Sequence, residues 1–183
     1  PARIVVTPQA RLVVTEYVLG AALEQLRYSN ERYWKELGLA LPRSPGLARF
    51  DHRADVTQLG VVALSLVLGR PLGADEYPER IGDVLASAWA TSSRGDLEPL
   101  RASLRSWLSR ALQIDVRHSF ASAIDAAAEL EKVLGDSDYL AAPAALEAFV
   151  SRYHASVEPI APHPPLPPVR VAAKERIRRG VLQ

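Results

Sequence analysis

Histidine, serine and acidic side chains could perform chemistry in this chain, but their spacing favours none of the common sites. The histidines are His52, His118, His154 and His163, and they share no metal-ligand spacing with one another or with acidic residues. No serine lies in a Gly-x-Ser-x-Gly motif, which argues against a Ser-His-Asp nucleophile. The chain has no cysteine, which excludes disulfides and thiolate ligands. We therefore expect no catalytic residue, no metal and no cofactor.

The elements that would position any site are predicted to be mainly helical. The chain has 183 residues, of which 48% are hydrophobic and 23% charged, enough for one domain with its own core. Abundant alanine and leucine favour helices. The net charge is only +1 and no broad basic face is evident, so we expect no nucleic-acid binding. No apolar run reaches the roughly 18 residues of a membrane span.

Two short runs rich in β-branched residues open the chain, at Ile4–Val6 and Leu12–Thr15, with Pro8 between them as a turn signal. They predict a β-hairpin. Because an isolated hairpin is marginally stable in water, we expect this one to pack against the helices that follow.

Helices are predicted over most of the remaining chain. Residues 20–37 are expected to be helical and 41–52 to form a loop. Asp55 to Leu68 is apolar on nearly all sides, which indicates a buried central helix ended by Gly69 and Pro71. Further helices are expected near residues 78–89, 97–112, 119–134 and 139–154. The predicted inward positions are Leu100, Leu104, Trp107, Leu108 and Leu112 in the second of these, and Ile124, Ala127, Ala128 and Leu130 in the third.

Three segments, in this order, resemble the C-terminal lobe of a protein kinase over roughly residues 1–135. The first is the hairpin, which resembles the paired strands ending in Asp-Phe-Gly. The second is Asp55 to Pro71, which resembles the central helix with its Asp-Val opening, Leu-Gly-Val interior and Gly-Arg-Pro end. The third is Leu108 to Phe120, which resembles the family's Leu-x-x-Asp-Pro-x-x-Arg-Pro-Ser-Phe segment with Val116 and His118 replacing the prolines.

The resemblance implies that phosphate-transfer chemistry is lost. Arg3 falls at the position of the metal-binding Asn, and a guanidinium has no acceptor atom with which to bind a cation. Glu16 replaces the metal-binding Asp, although Mg²⁺ demands near-ideal geometry, and Tyr17-Val18 replaces Phe-Gly. The glycine-rich loop, the phosphate-binding lysine and the catalytic loop would precede Pro1, so the resemblance also implies a fragment.

Three residues have structural roles in the resembling family. Asp55 would accept backbone hydrogen bonds from the catalytic loop; the alternative is an acidic residue that complements the helix dipole. Gly60 lies in the Leu-Gly-Val motif of the central helix. Arg117 would pair with a glutamate that Gly46 replaces, with Asp51 and Glu129 as substitute partners.

We thus expect a mainly α fold, a short hairpin followed by a helical kinase-like lobe around one buried helix. The expected units are a lobe with an appended helix over residues 1–156, a proline-rich linker over 157–170 and a basic tail over 171–183. The leading hypothesis is a non-catalytic, pseudokinase-like scaffold that binds a protein partner. The alternatives are the C-lobe of a weakly active Ser/Thr kinase and a complete helical adaptor. We expect a cytoplasmic location, with any membrane contact made only indirectly through the basic tail.

Overall fold

The computed structural model describes residues 4–7, 9, 11–15, 19–43, 46–91, 95–135 and 143–157. These residues form a mainly α fold, as predicted, with seven α-helices and two two-stranded hairpins. The elements in chain order are β1 (Ile4–Val6), β2 (Leu12–Val14), α1 (Gly20–Glu24), α2 (Asn30–Leu37), α3 (His52–Leu68), α4 (Ile81–Ala86), β3 (Trp89–Thr91), β4 (Leu97–Pro99), α5 (Ala102–Ala111), a 3₁₀ turn (Val116–His118), α6 (Ala123–Gly135) and α7 (Pro143–Ser156).

The predicted N-terminal hairpin is present, with β1 and β2 paired antiparallel so that Val5 lies opposite Val13. The expectation that it packs closely on the helices was wrong for most of its side chains. Val5, Val13 and Leu12 are all exposed. Because side chains alternate between the faces of a strand, and both faces here carry valine or leucine, the hairpin has no single apolar face to direct at a core.

The helix predicted over residues 20–37 is interrupted. α1 ends at Glu24, and Arg27 has a positive φ of 50°, which a continuous helix cannot include. α2 then begins behind Ser29, whose hydroxyl accepts a hydrogen bond from the backbone N–H of Arg32 at 3.2 Å, an ordinary N-cap. Two helices therefore replace the predicted one.

α3 is the centre of the fold, as predicted, but it begins three residues earlier than expected. Asp51 is its N-cap and accepts hydrogen bonds from the N–H groups of Arg53 and Ala54. Leu64 is fully buried, whereas Leu59 is 46% and Leu66 78% exposed. The helix is nevertheless not covered on every side, because Leu59 and Leu66, seven residues apart, lie on one exposed stripe.

The segment between α4 and α5 contains a second hairpin that the sequence did not predict. Trp89, expected in a helix, begins β3 and lies opposite Pro99 of β4. The helix predicted from residue 97 begins at Ala102 instead. Pro99 lacks an N–H and is tolerated here because it ends a strand that pairs on one side only.

The core lies among α3, α4, α5 and α6. The predicted stripe of α5 is confirmed: Leu100, Trp107, Leu108 and Leu112 are buried, and Leu104 packs against them. The inward face of α6 was predicted incorrectly. Ile124 is 81% exposed and Ala127 and Ala128 are exposed too, while Ala126 and Val133 are buried. Leu130 is partly buried, as expected.

A smaller cluster covers the N-terminal end of α3. It is built from Tyr33, Leu39, Leu41 and Ala54, and Phe50 packs edge-on against Tyr33. α7 begins at Pro143, in agreement with the prediction that this proline occupies a first turn. Apart from Val157, the predicted linker and the basic tail lie outside the described residues. Within the part of the chain that the structure describes, every helix is too short or too polar to span a membrane.

Candidate functional site

The two predicted degenerate metal-ligand positions, Arg3 and Glu16, lie outside the described residues, as does Tyr17-Val18. Their proposed loss of metal binding stays a prediction. Among the residues that the structure does describe, no group of three or more His, Asp or Glu side chains is arranged to hold a metal ion.

Asp55 lies in the first turn of α3 and its side chain is exposed. The capping role belongs to Asp51, whereas the carboxylate of Asp55 contacts no hydrogen-bonding or charged partner among the described residues. Its position suits the alternative interpretation, an acidic residue near the positive end of the helix dipole. The family role, which would require a catalytic loop, stays untested.

Gly60 has a clear packing role at the contact between α3 and α5. A Cβ atom placed on it would lie 3.1 Å from the Cβ of Ala111 and 3.2 Å from Leu112. Both distances are tighter than ordinary side-chain contacts, so the absence of a side chain at Gly60 allows the two helices to lie this close together.

Arg117 pairs with neither of the substitute partners considered for it. Its Nε atom is 3.3 Å from Asp115, while Glu129 is paired with Arg110 and Asp51 with Arg53. The carboxylate of Asp115 has a lowered pKa because it accepts hydrogen bonds from the backbone N–H of Arg117 and from His118. Arg117 thus stabilises an exposed 3₁₀ turn and makes no ion pair with the described residues of the loop that contains Gly46.

A groove between α3 and α6 is the best candidate for a functional surface. It has a volume of about 320 Å³ and its lining is almost entirely hydrocarbon. Seven apolar side chains form most of it: Val56, Leu59, Ala123, Ala126, Ala127, Leu130 and Leu134. The lined stretch of α6 runs from residue 123 to 134, about three turns or 16 Å. Because three of these residues are alanine, their short side chains leave room for a second backbone to come close to the groove.

Two acidic residues, Asp55 and Glu131, border this groove. Neither carboxylate has a hydrogen-bond or ion-pair partner among the described residues. Ile124, seven residues before Glu131, lies on the same side of α6 and extends the apolar surface. The groove is therefore apolar at its centre and negative at its border.

The sequence did not identify this site. Its residues were assigned to the core, because Leu59 belongs to the most apolar segment and Ala127 and Leu130 to a predicted inward face. The available signal was the excess of apolar positions on α6, which carries more hydrophobic residues than one buried stripe requires.

Comparisons with known proteins found no matching family model, curated protein or solved structure.

Proposed function

We propose that this chain is a non-catalytic, pseudokinase-like scaffold module that binds a protein partner through the α3–α6 groove. The observation that carries the proposal is the groove itself, in which the central helix of the fold exposes leucine beside an alanine-rich helix. Contiguous exposed apolar surface on a folded protein is typical of interaction sites. The resemblance to the kinase C-lobe supports the pseudokinase part of the proposal.

The partner that fits best is an α-helix with an apolar stripe and basic side chains beside it. A groove between two helices accepts a third helix by ridge-into-groove packing. Its length of about three turns matches a short helical segment. The unpaired carboxylates of Asp55 and Glu131 complement lysine or arginine at the borders of that stripe.

A defined helical probe tests the binding part of the proposal. The probe is a peptide of about 14 leucine and lysine residues with leucines on one helical face; a second peptide carries glutamate in place of lysine. Binding to the whole chain is measured by fluorescence anisotropy. We expect the lysine peptide to bind at least about tenfold more tightly than the glutamate peptide.

Ala127→Arg fills the groove and should weaken binding of the lysine peptide by at least about tenfold. Asp55→Lys combined with Glu131→Lys should do the same by removing the charge complementarity. Ala102→Arg at the exposed start of α5 and Glu147→Lys on α7 are the matched controls and should bind as the unmodified chain does. Equal affinity for all variants would refute the groove as the binding site.

The non-catalytic part is tested separately with a fluorescent ATP analogue in the presence of Mg²⁺, on this chain and on any longer form of the protein. We expect no saturable nucleotide binding, because Arg3 and Glu16 stand at the two metal-ligand positions of the resembling family. Saturable, Mg²⁺-dependent binding would favour the weakly active kinase instead. A cytoplasmic location forms part of this proposal.

A further inference from the structure

α5 ends in a left-handed residue that is not glycine. Gln113 has a φ of +52°. Its N–H donates to the carbonyl of Arg110 at 3.2 Å, and the N–H of Ile114 donates to the carbonyl of Ser109 at 3.1 Å. This pair of bonds is the Schellman motif, in which the left-handed position is usually glycine.

The same chain ends α3 with the same motif and does use glycine there. Gly69 has a φ of +66°, and its N–H and that of Arg70 make the two equivalent bonds at 3.2 and 3.1 Å. α2 also ends in a left-handed glycine, Gly38. For an L-residue the left-handed conformation is unfavourable by about 1–2 kcal/mol. Glutamine at position 113 is therefore unfavourable unless another interaction offsets the cost of this conformation.

The side chain of Gln113 makes no such interaction with the described residues. Gln113 is only 5% exposed, yet its amide group forms no hydrogen bond with any of them. An amide taken out of water without a partner destabilises the fold. Among the described residues, the hydroxyls of Thr57 and Ser65 are the fully enclosed polar side-chain atoms without a partner, and the amide atoms of Gln113 do not belong to this group. The amide of Gln113 thus keeps access to the surface.

Gln113 is one of the residues that line a small pocket between the end of α5 and the segment before α4. The pocket has a volume of about 140 Å³, well below the roughly 300–1,000 Å³ of pockets for drug-sized ligands, so it suits a group the size of a side chain. Apolar walls come from Tyr77, Ile81 and Leu112. At its border, Arg43 lies 3.7 Å from Glu79 and donates to the carbonyl of Pro78 at 2.8 Å, so the charge there is balanced.

We propose that this pocket binds a neutral carboxamide on a short apolar stem, with the amide of Gln113 as its hydrogen-bonding partner. A carboxamide offers a donor and an acceptor side by side, as the glutamine amide does, so the two can exchange a pair of N–H···O bonds. The balanced Arg43–Glu79 pair gives no preference for a charged ligand. The group could be the side chain of a peptide or a free small amide. The pocket shares no lining residue with the α3–α6 groove.

The test is a titration of the ¹⁵N-labelled whole chain, followed by NMR. Isobutyramide is the neutral probe and isobutyrate is its charged counterpart of the same shape. We expect isobutyramide to shift the side-chain amide signal of Gln113 and the backbone signals of Gly82 and Ile114, with a Kd on the order of a few mM. The exposed side chain of Gln25 is the internal control and should not shift.

Gln113→Leu keeps a side chain of similar size and the same backbone conformation but removes the amide. Binding of isobutyramide should weaken by at least about tenfold, judged from the Gly82 and Ile114 signals. A folded spectrum for this variant confirms that the loss is local. If N-acetylglutamine N-methylamide binds more tightly than isobutyramide, the natural ligand is a peptide side chain; the reverse order favours a small molecule.

Three outcomes would overturn the proposal: equal shifts with isobutyrate, undiminished binding to Gln113→Leu, or no shift of the Gln113 side-chain signal up to the solubility limit of isobutyramide. In the last case water alone satisfies the glutamine amide. None of these results bears on the proposed scaffold function, which is tested with a different probe at a different surface.

Discussion

At the scale of single residues, Gly60 illustrates how the absence of a side chain determines the position of whole helices. The glycine allows α3 to contact Ala111 and Leu112 of α5 directly. The sequence indicated Gly60 only through a motif resemblance. Its physical role depends on which residues of α5 lie opposite, and a single sequence does not contain that information.

Gly60→Leu should destabilise the protein by about 2–3 kcal/mol, because overpacking at a tight helix contact forces the backbones apart. Gly82→Ala is the control: Gly82 lies in α4, and an added Cβ would meet only Ile114, at an ordinary 3.8 Å. That change should be neutral or stabilising by up to about 1 kcal/mol. Urea unfolding measures both, and equal effects of the two substitutions would contradict the packing role of Gly60.

At the scale of elements, the contact between α5 and α6 explains why the face of α6 was predicted incorrectly. α6 is rich in alanine, and apolar residues occur on more than one of its sides, so hydrophobicity alone does not define the buried side. The orientation is determined by Trp107 of α5, whose indole N–H donates to the carbonyl of Ala126 at 2.9 Å. Ala126 is therefore buried, and Ile124 is turned out to solvent.

Trp107→Phe should destabilise the protein by about 2 kcal/mol, because it removes the hydrogen bond to Ala126 and leaves a cavity in a fully buried site. The matched control is Trp89→Phe on the exposed β3 strand, which should change the free energy of unfolding by less than about 0.5 kcal/mol. Thermal or urea unfolding followed by circular dichroism gives both values. A loss no larger than that of the control would show that Trp107 does not hold α5 and α6 together.

The same reasoning separates the elements that the sequence predicts well from those it does not. The central helix, its glycine end and the stripe of α5 follow from long apolar patterns that tertiary contacts reinforce. The second hairpin was missed because its strands, Trp89–Thr91 and Leu97–Pro99, are too short for a periodic signal. The α3–α6 groove was missed because sequence pattern reports which residues are apolar, whereas packing decides which of them remain uncovered.

At the scale of the whole molecule, an ion pair in the connection between α3 and α4 makes the folding stability of the protein depend on pH in the acidic range. Glu76 accepts two hydrogen bonds from Arg70, at 2.7 and 2.8 Å, and one from the N–H of Gly73 at 2.6 Å. These contacts, above all those with Arg70, lower the pKa of Glu76 from 4.5 to about 2. A carboxyl group whose pKa is lower in the folded state stabilises the fold above its unfolded pKa.

Glu76→Gln should therefore destabilise the protein by about 2 kcal/mol at pH 7. This is less than the full difference in pKa would give, because Arg70 is half exposed and solvent screens the ion pair. The difference from the unmodified chain should shrink as the pH falls from about 4.5 toward 2, where Glu76 becomes protonated in both states. Urea midpoints across this pH range measure the effect. The control is Glu79→Gln, at an exposed position with a loose contact to Arg43. A destabilisation by Glu76→Gln that does not change with pH would contradict the lowered pKa of Glu76.

The N-terminal hairpin also affects how the molecule behaves at high concentration. β1 and β2 each have three residues, and their apolar side chains are largely uncovered. Unpaired strand edges can recruit further strands from other chains, and segments of about six or seven β-forming residues are the usual seeds of aggregation. Strands of three residues offer too few main-chain bonds for such growth. Their shortness therefore protects a valine-rich sequence from aggregating, and any redesign that lengthened these strands would need a charged residue or a proline at the new edge.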